Sequence, residues 1–404
     1  MNSKRRLPPV WLMGLSSATL GFSNGITLFF MPQLMAGAHV PEAKIATITA
    51  IGASPGFWFV FFSPILDVRF SRRWYATLLA ALSGTAAATA FLSVHNLAVL
   101  QSAMVVCTAS AILSSSALGG WLSNITPPEH KNQLSKWMNI ALISGMGVIV
   151  AASGEFARGL PAKSAALLIG AIVFLPTAIF LFMPAPGPDG RLASESFGQF
   201  NREILSLLRR REVVVVLLLF LSPCSTFVLP NLLGGLGADF HASSRTVSLS
   251  GGAGAFVPGL IGCFLFPVVA RRLRLRSFYF ANGVLGCLFT LSLVILPHTS
   301  FTFALAVFGE FLFQAIAFSI QIAIVFEAIG PDNPLAATTF AFLNAATNIP
   351  VAYLTVIDGH AYSIAGITGT FFADAIIGIG ACIAAAILLA RFGSAHQYES
   401  AHSV

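Results

Sequence analysis

Apolar residues run along this chain in long blocks, with the polar residues gathered between them. A helix needs about 20 mostly apolar residues to cross a bilayer. That template fits twelve segments, roughly 10–36, 43–66, 75–93, 97–120, 137–155 and 163–184, then 213–236, 246–270, 277–296, 299–327, 336–357 and 363–391. Most links between blocks are short, so consecutive helices run antiparallel. One link, 185–212, is long. The stretch Pro184-Ala185-Pro186-Gly187-Pro188 leads into it, and it becomes a basic amphipathic stretch ending Leu207-Leu208-Arg209-Arg210-Arg211, which reads as a surface-lying cytoplasmic linker. The expectation is an all-α membrane protein of twelve transmembrane helices in two pseudo-symmetric six-helix bundles. Residues 1–184 form the first bundle, and 213–404 form the second with a short tail.

Composition supports this reading and excludes others. Of 404 residues, 56% are hydrophobic and 9% charged, against about 25% charged in a soluble domain. A disordered chain would be poor in Leu, Ile, Val and Phe. The net charge of +7 would suit nucleic acid, but in a membrane protein the placement of basic residues matters more. Of the 22 Lys and Arg, only Lys44, Arg158, Lys163 and Arg245 fall on the side opposite the N-terminus. The positive-inside rule therefore puts both termini in the cytoplasm, with lipid as surroundings and no nucleic acid as partner. The sequence Lys4-Arg5-Arg6, an apolar run and Ala36-Gly37-Ala38 imitates a signal peptide. The run from Val10 to Met35 exceeds the apolar core of about 7–15 residues that such a signal has, so it reads as an uncleaved first helix. The five cysteines lie in apolar runs with no metal-ligand spacing, so neither metal nor cofactor is expected.

The halves echo each other. Ser63-Pro64-Ile65-Leu66-Asp67, leading to Arg72-Arg73, closes the second span, and Phe266-Pro267-Val268-Val269-Ala270-Arg271-Arg272 closes the eighth. The first span carries Pro32-Gln33 and the seventh Pro230-Asn231. Interruptions at matching places in two halves point to a transporter's binding site.

Twelve spans, a long central loop and the Pro64-x-x-Asp67…Arg72-Arg73 element together resemble the major facilitator superfamily. The resemblance implies a cavity lined by helices 1, 4, 7 and 10. It also implies a cytoplasmic gate of Asp67, Arg72 and Arg73, whose carboxylate meets a helix N-terminus or a cation in the outward-open state. Ala270 replaces the acid in the second half. Gly21-Phe22-Ser23-Asn24-Gly25, Ser63-Pro64…Asp67 and Thr126-Pro127-Pro128-Glu129 are similar to the AmpG-type branch, grouped with peptide and acetyl-coenzyme A transporters. This implies inner-membrane import of muropeptides or siderophores. Where muropeptide permeases tend to carry an acid and an Arg, the chain reads Gly119-Gly120-Trp121-Leu122-Ser123-Asn124, which weighs against a muropeptide.

No Lys, Arg or His lies deep in any span, which disfavours a multiply charged anion as solute. Two acids do, Glu310 and Asp374. Such carboxyls exchange protons as solvent access alternates, the chemistry of proton coupling. Gln314 and Gln321 follow Glu310 on one helix face. With Asn24, Gln33, Asn231, Asn344 and Asn348 they are the candidate substrate-binding residues; buried amides also serve as interhelical bonds worth about 0.6–2 kcal/mol. Glu155 and Asp358 read as markers of where helices meet water.

No GxxxxGK[ST] sequence is present, so direct use of ATP is not expected. The eight histidines lie in loops or tails and no acids cluster, so the chain does not read as an enzyme. The expected function is a monomeric secondary active transporter. It moves a small amphipathic, muropeptide-type solute by alternating access, with proton-coupled import. Alternatives are a siderophore or other small-molecule importer, or a drug or metabolite exporter. More remote are a membrane-embedded transferase and a sensor without transport.

Overall fold

A computed structural model describes residues 7–67, 70–185, 210–223, 236–251, 253–330 and 333–401. All regular structure among the described residues is helical. Among the described residues eight helices are long and apolar enough to cross a membrane, and Phe256–Ala270 is a shorter apolar one.

The first helix, α1, is built from four pieces: Val10–Leu15, Ala18–Gly25, a π-helical turn Ile26–Phe30, and Met31–Gly37. Pro32 explains the wide turn. It has no N–H to donate, and its ring crowds the Leu28 carbonyl four residues back. Helix α1 stops at His39 (φ 59°), where His39 N–H bonds Ala36 O at 3.0 Å and Val40 N–H bonds Met35 O at 3.1 Å. This is a left-handed C-terminal closure. The second half repeats it at His241 (φ 52°), with His241 N–H on Ala238 O at 3.0 Å and Ala242 N–H on Gly237 O at 2.9 Å. The internal repeat thus extends to backbone geometry.

Helix α2 comprises Glu42–Ala53, Pro55–Trp58 and a 3-10 stretch Phe59–Asp67 that contains Pro64. Then come α3 (Arg72–Leu92), α4 (Leu97–Ile125), α5 (Lys131–Gly159) and α6 (Ala162–Phe174, tightening over Leu175–Leu181 at Pro176). The second half has α7 (described over Arg211–Phe220), α8 (Ser244–Gly251 and Ala253–Ala270), α9 (Leu275–Val294) and α10 (Ser300–Ile329). Helix α11 runs from Ala336–Ala346 on through 348–364, and α12 covers 367–401.

Between α11 and α12 the chain reverses at Ala365 and Gly366. Gly366 has φ 60° and ψ −154°, a conformation essentially confined to glycine. Gly366→Ala is expected to cost about 1–3 kcal/mol, read as a lowered unfolding temperature in detergent; an unchanged transition would refute strain at this corner. The corner also corrects a boundary. The hydropathy pattern ends the eleventh span at 357 and leaves Asp358 at the water, whereas the helix continues to 364 and Asp358 is 1% exposed. A reversal made at Gly366 leaves 358–362 free to be helical.

The chain divides into two compact units, 1–204 with 325–345, and 205–324 with 346–404. In the first, α3 packs on α4 and α6, and α1 packs on α5. Helix α1 is pinned on every bundle side: Ser23 to Ser83 of α3 (2.8 Å), Thr27 to Thr108 of α4 (3.1 Å), and Thr19 to the Val173 carbonyl of α6 (3.1 Å). Toward α5 it presents Gly14, Gly21 and Gly25, where a Cβ would run into Trp137, the Leu142 carbonyl and Ile149 respectively. In the second unit, Phe240, Leu293, Phe303 and Phe371 are the centre of the core.

Candidate functional site

The glycine seam and the three hydroxyl bonds consume most of the α1 surface and leave one face open. Asn24 is half-buried on α1, and Leu28 and Gln33 are exposed. Leu28 and Pro32 form one wall of an open groove whose other wall is α2, with Ile45, Thr49 and Ala53. The Thr49 hydroxyl is buried there without a hydrogen-bond partner among the described residues. The groove is apolar with isolated polar groups, a lining suited to an amphipathic molecule. Gly21 and Gly25, which flank Asn24, serve the packing against α5; the irregular turn lies one step later, at Ile26–Phe30.

The Asp67 element is fully assembled. Asp67 closes α2 at 2% exposure. Its Oδ1 accepts Arg72 Nε at 2.8 Å and lies 2.8 Å from Arg72 Nη2. The same oxygen accepts the Ala337 N–H at 3.3 Å, while Oδ2 accepts the Thr338 N–H at 2.8 Å and the Thr338 hydroxyl at 2.7 Å. The carboxylate therefore sits on the N-terminus of α11, where unsatisfied N–H groups and the helix dipole favour an anion. Arg72 Nη2 donates onward to the Pro334 carbonyl at 2.7 Å. Arg73 follows, half-buried.

Three further groups tighten this clasp, none of them legible beforehand. Asn124 Nδ2 reaches the Asn333 carbonyl at 3.4 Å, and Lys131 Nζ reaches the Phe326 carbonyl near the C-terminus of α10 at 2.9 Å. At Gly120 a Cβ would fall on the Ala337 backbone nitrogen. Gly119-Gly120, which departs from the muropeptide-permease pattern, thus allows α11 to approach α4 closely. The Asn333-Pro334 pair, a turn-then-helix signal, was the one available hint: Asn333 Oδ1 accepts the Leu335 N–H at 2.9 Å just before α11.

In the second unit the acids lie inside the helix packing. Glu310 is 0% exposed and accepts the Thr290 hydroxyl of α9 at 3.3 Å. Gln321 is 3% exposed and donates to the Tyr279 hydroxyl of α9 at 3.0 Å. The Glu310–Gln321 stripe therefore turns toward α9; Gln314 on the same helix is half-buried. Asp374 is 1% exposed and neither oxygen accepts a hydrogen bond among the described residues. Asn282 of α9 donates to the Phe313 carbonyl at 3.0 Å. Asn344 and Asn348 are half-buried on either side of the break in α11. Asn231, with Pro230 before it, lies outside the described residues.

Comparison with known proteins places this architecture. The structure resembles the E. coli fucose:proton symporter FucP with a TM-score of 0.72 at 15% identity, covering 94% of this chain and 98% of that one. It resembles the human organic anion transporter MFSD10 (TETRAN) with a TM-score of 0.68 at 17% identity, covering 95% and 100%. A proton:xylose symporter, XylE, gives 0.66 at 13% identity, covering 93% and 94%. No curated protein matches the chain by sequence. The family model described as Major Facilitator Superfamily matches residues 13–338. With helices from α1 to the start of α11 inside that match, the chain belongs to the major facilitator superfamily, as a multi-pass membrane permease.

Proposed function

We propose that this permease is a proton-coupled importer of a small amphipathic solute. It lies in the inner membrane with both termini cytoplasmic, and its bundles 1–184 and 213–404 are joined by the linker 185–212. The observation that carries the reading is the pair of buried, membrane-embedded acids, Glu310 and Asp374, in helices that hold no basic residue before Arg391 at the far end of α12. An ionised carboxylate in such surroundings is costly and marks an ion or proton pathway. The same fold serves a fucose:proton symporter, which supports the coupling ion.

The solute meets the open face of α1, where Asn24 and Gln33 supply hydrogen bonds and the Leu28–Thr49 groove supplies apolar contact. Gln314, Asn231, Asn344 and Asn348 are the amides offered by the other half, whereas Gln321 is committed to Tyr279. Asp67, Arg72 and Arg73 form the cytoplasmic gate, made in one half of the transport cycle and broken in the other. The AmpG-like segments favour a muropeptide-type solute, with a siderophore as the next class.

Counterflow of labelled anhydro-muropeptide in proteoliposomes, for wild type and Glu310→Gln, tests this. Both are expected to exchange the solute. Only the wild type is expected to concentrate it under a pH gradient, by up to about tenfold per pH unit if one proton accompanies each solute, since one unit is worth about 1.36 kcal/mol. Concentration by Glu310→Gln equal to wild type would remove Glu310 from the coupling. Absence of exchange by wild type would reject the muropeptide and turn the test to siderophores.

A further inference from the structure

Helix α11 is interrupted partway along its span. It is helical over Ala336–Ala346, turns at Thr347 and resumes at Asn348. Pro350 accounts for the break. It has no N–H for the Ala346 carbonyl four residues back, and its ring crowds that oxygen. Sharp bends in helices are almost always found at such prolines.

The pieces on either side of Thr347 have different attachments. The cytoplasmic piece is buried from Ala336 to Ala341. Asp67 accepts its Ala337 N–H, its Thr338 N–H and the Thr338 hydroxyl. Gly119 leaves room for the Phe340 ring and Gly120 for the Ala337 backbone, and the Phe340 ring lies 6.0 Å from that of Phe326. The other piece is held by two tyrosines. The Tyr353 hydroxyl donates to the Leu221 carbonyl, at the end of the described part of α7, at 2.9 Å. The Tyr362 hydroxyl donates to Asp239 Oδ2 at 2.9 Å. Thr370 of α12 adds a bond to the Asp358 carbonyl at 3.3 Å. The division between the two compact units falls beside Thr347, after residue 345.

A helix that lacks a rung bends there without losing a bond it had. Domain motions use hinges of this kind, a few residues at the ends of elements. Asn344 and Asn348 stand four residues apart across the break, a spacing that makes neighbours on one face of a regular helix. A bend at Thr347 therefore changes the distance between these two amides.

We propose that α11 is jointed at Thr347, with Pro350 as the positioning residue. When the Asp67 clasp opens, 336–346 swings about the joint while 348–364 stays on its tyrosine anchors. The spacing of Asn344 and Asn348 then differs between the closed and open gate, so a solute bonded to both amides favours one state. A ligand that binds two states equally shifts nothing, and the joint supplies the difference. The inference rests on the readings of Asp67 as a gate and of Asn344 and Asn348 as solute contacts, and adds the part that links them.

The test needs no solute, so its outcome is separate from that of counterflow. Hydrogen–deuterium exchange of the full chain in lipid nanodiscs is read by mass spectrometry for wild type, Asp67→Asn, Tyr353→Phe and Pro350→Ala. Asp67→Asn is expected to raise exchange over 336–346 at least about fivefold and to leave 348–364 as in wild type. Tyr353→Phe, which keeps the clasp intact, should do the reverse. Pro350→Ala restores the missing N–H, so exchange around 347–351 should slow at least about fivefold. In the double variant Asp67→Asn/Pro350→Ala the rise should spread past Thr347. Equal rises on both sides of Thr347 in Asp67→Asn or in Tyr353→Phe would show α11 releasing as one rod and would overturn the proposal. Wild-type exchange throughout Asp67→Asn would overturn it by removing the gate on which it rests.

Discussion

Asp67→Ala is expected to destabilise the protein by about 3–5 kcal/mol, the range for breaking a buried ion pair by removing one partner. The reason is what remains. Arg72, at 3% exposure, would keep its buried guanidinium with the Pro334 and Asn333 carbonyls as its remaining acceptors among the described residues. Two N–H groups at the N-terminus of α11 and the Thr338 hydroxyl would lose their acceptor together. Arg72→Ala should cost a similar amount, because it strands the carboxylate. The double variant should cost less than the sum, by an interaction term of about 0.5–3 kcal/mol. Unfolding of all four proteins in detergent measures the cycle. Additive effects would show that Asp67 and Arg72 stabilise the protein independently, and the gate assigned to them would lose its physical basis.

The second large effect is expected at the α1–α5 seam. Gly21 and Gly25 let the helices touch through backbone atoms. A Cβ at Gly21 would meet the Leu142 and Ala141 carbonyl oxygens, and one at Gly25 would meet Ile149 and the Met146 carbonyl. Close approach through small residues drives helix association in lipid, where no hydrophobic gain is available. Gly21→Ala should therefore cost about 1–3 kcal/mol, the range for overpacking, because backbone cannot rotate away as a side chain would. Gly21→Leu should prevent recovery of folded protein. Gly37→Ala is the control: nothing lies within 4 Å of its Cβ position, so the change should stay within about 0.5 kcal/mol. Equal thermal stability of Gly21→Ala and Gly37→Ala would refute the seam.

Particular residues show where sequence reasoning holds and where it stops. The Pro32 interruption and the matching elements of the halves could be read locally, because proline chemistry and near neighbours in the chain carry them; the joint role of Asp67 and Arg72 came from the family resemblance. The Lys131 and Asn124 contributions to the clasp could not, since each meets a carbonyl about 200 residues away. Gly21 and Gly25 were visible as glycines, but their service to α5 was not. Asp358 looked like a helix end because hydropathy averages over a window and does not register a reversal made at one glycine.

By itself the sequence determined that this is a helical membrane protein and where most of its spans run. Hydrocarbon permits only apolar, internally hydrogen-bonded helices across about 30 Å, and that constraint acts along the chain one segment at a time. Tertiary structure alone decided which way each helix turns. It set Glu310 and Gln321 against α9, left Asn24 half-buried and Gln33 exposed, and buried Asp374 and Asp358 on either side of a glycine corner. A helix that is apolar on all sides carries little record of its own orientation. Its rotation is fixed by the close packing of small residues and the pairing of a few polar groups with neighbouring helices, and those partners come from distant parts of the chain.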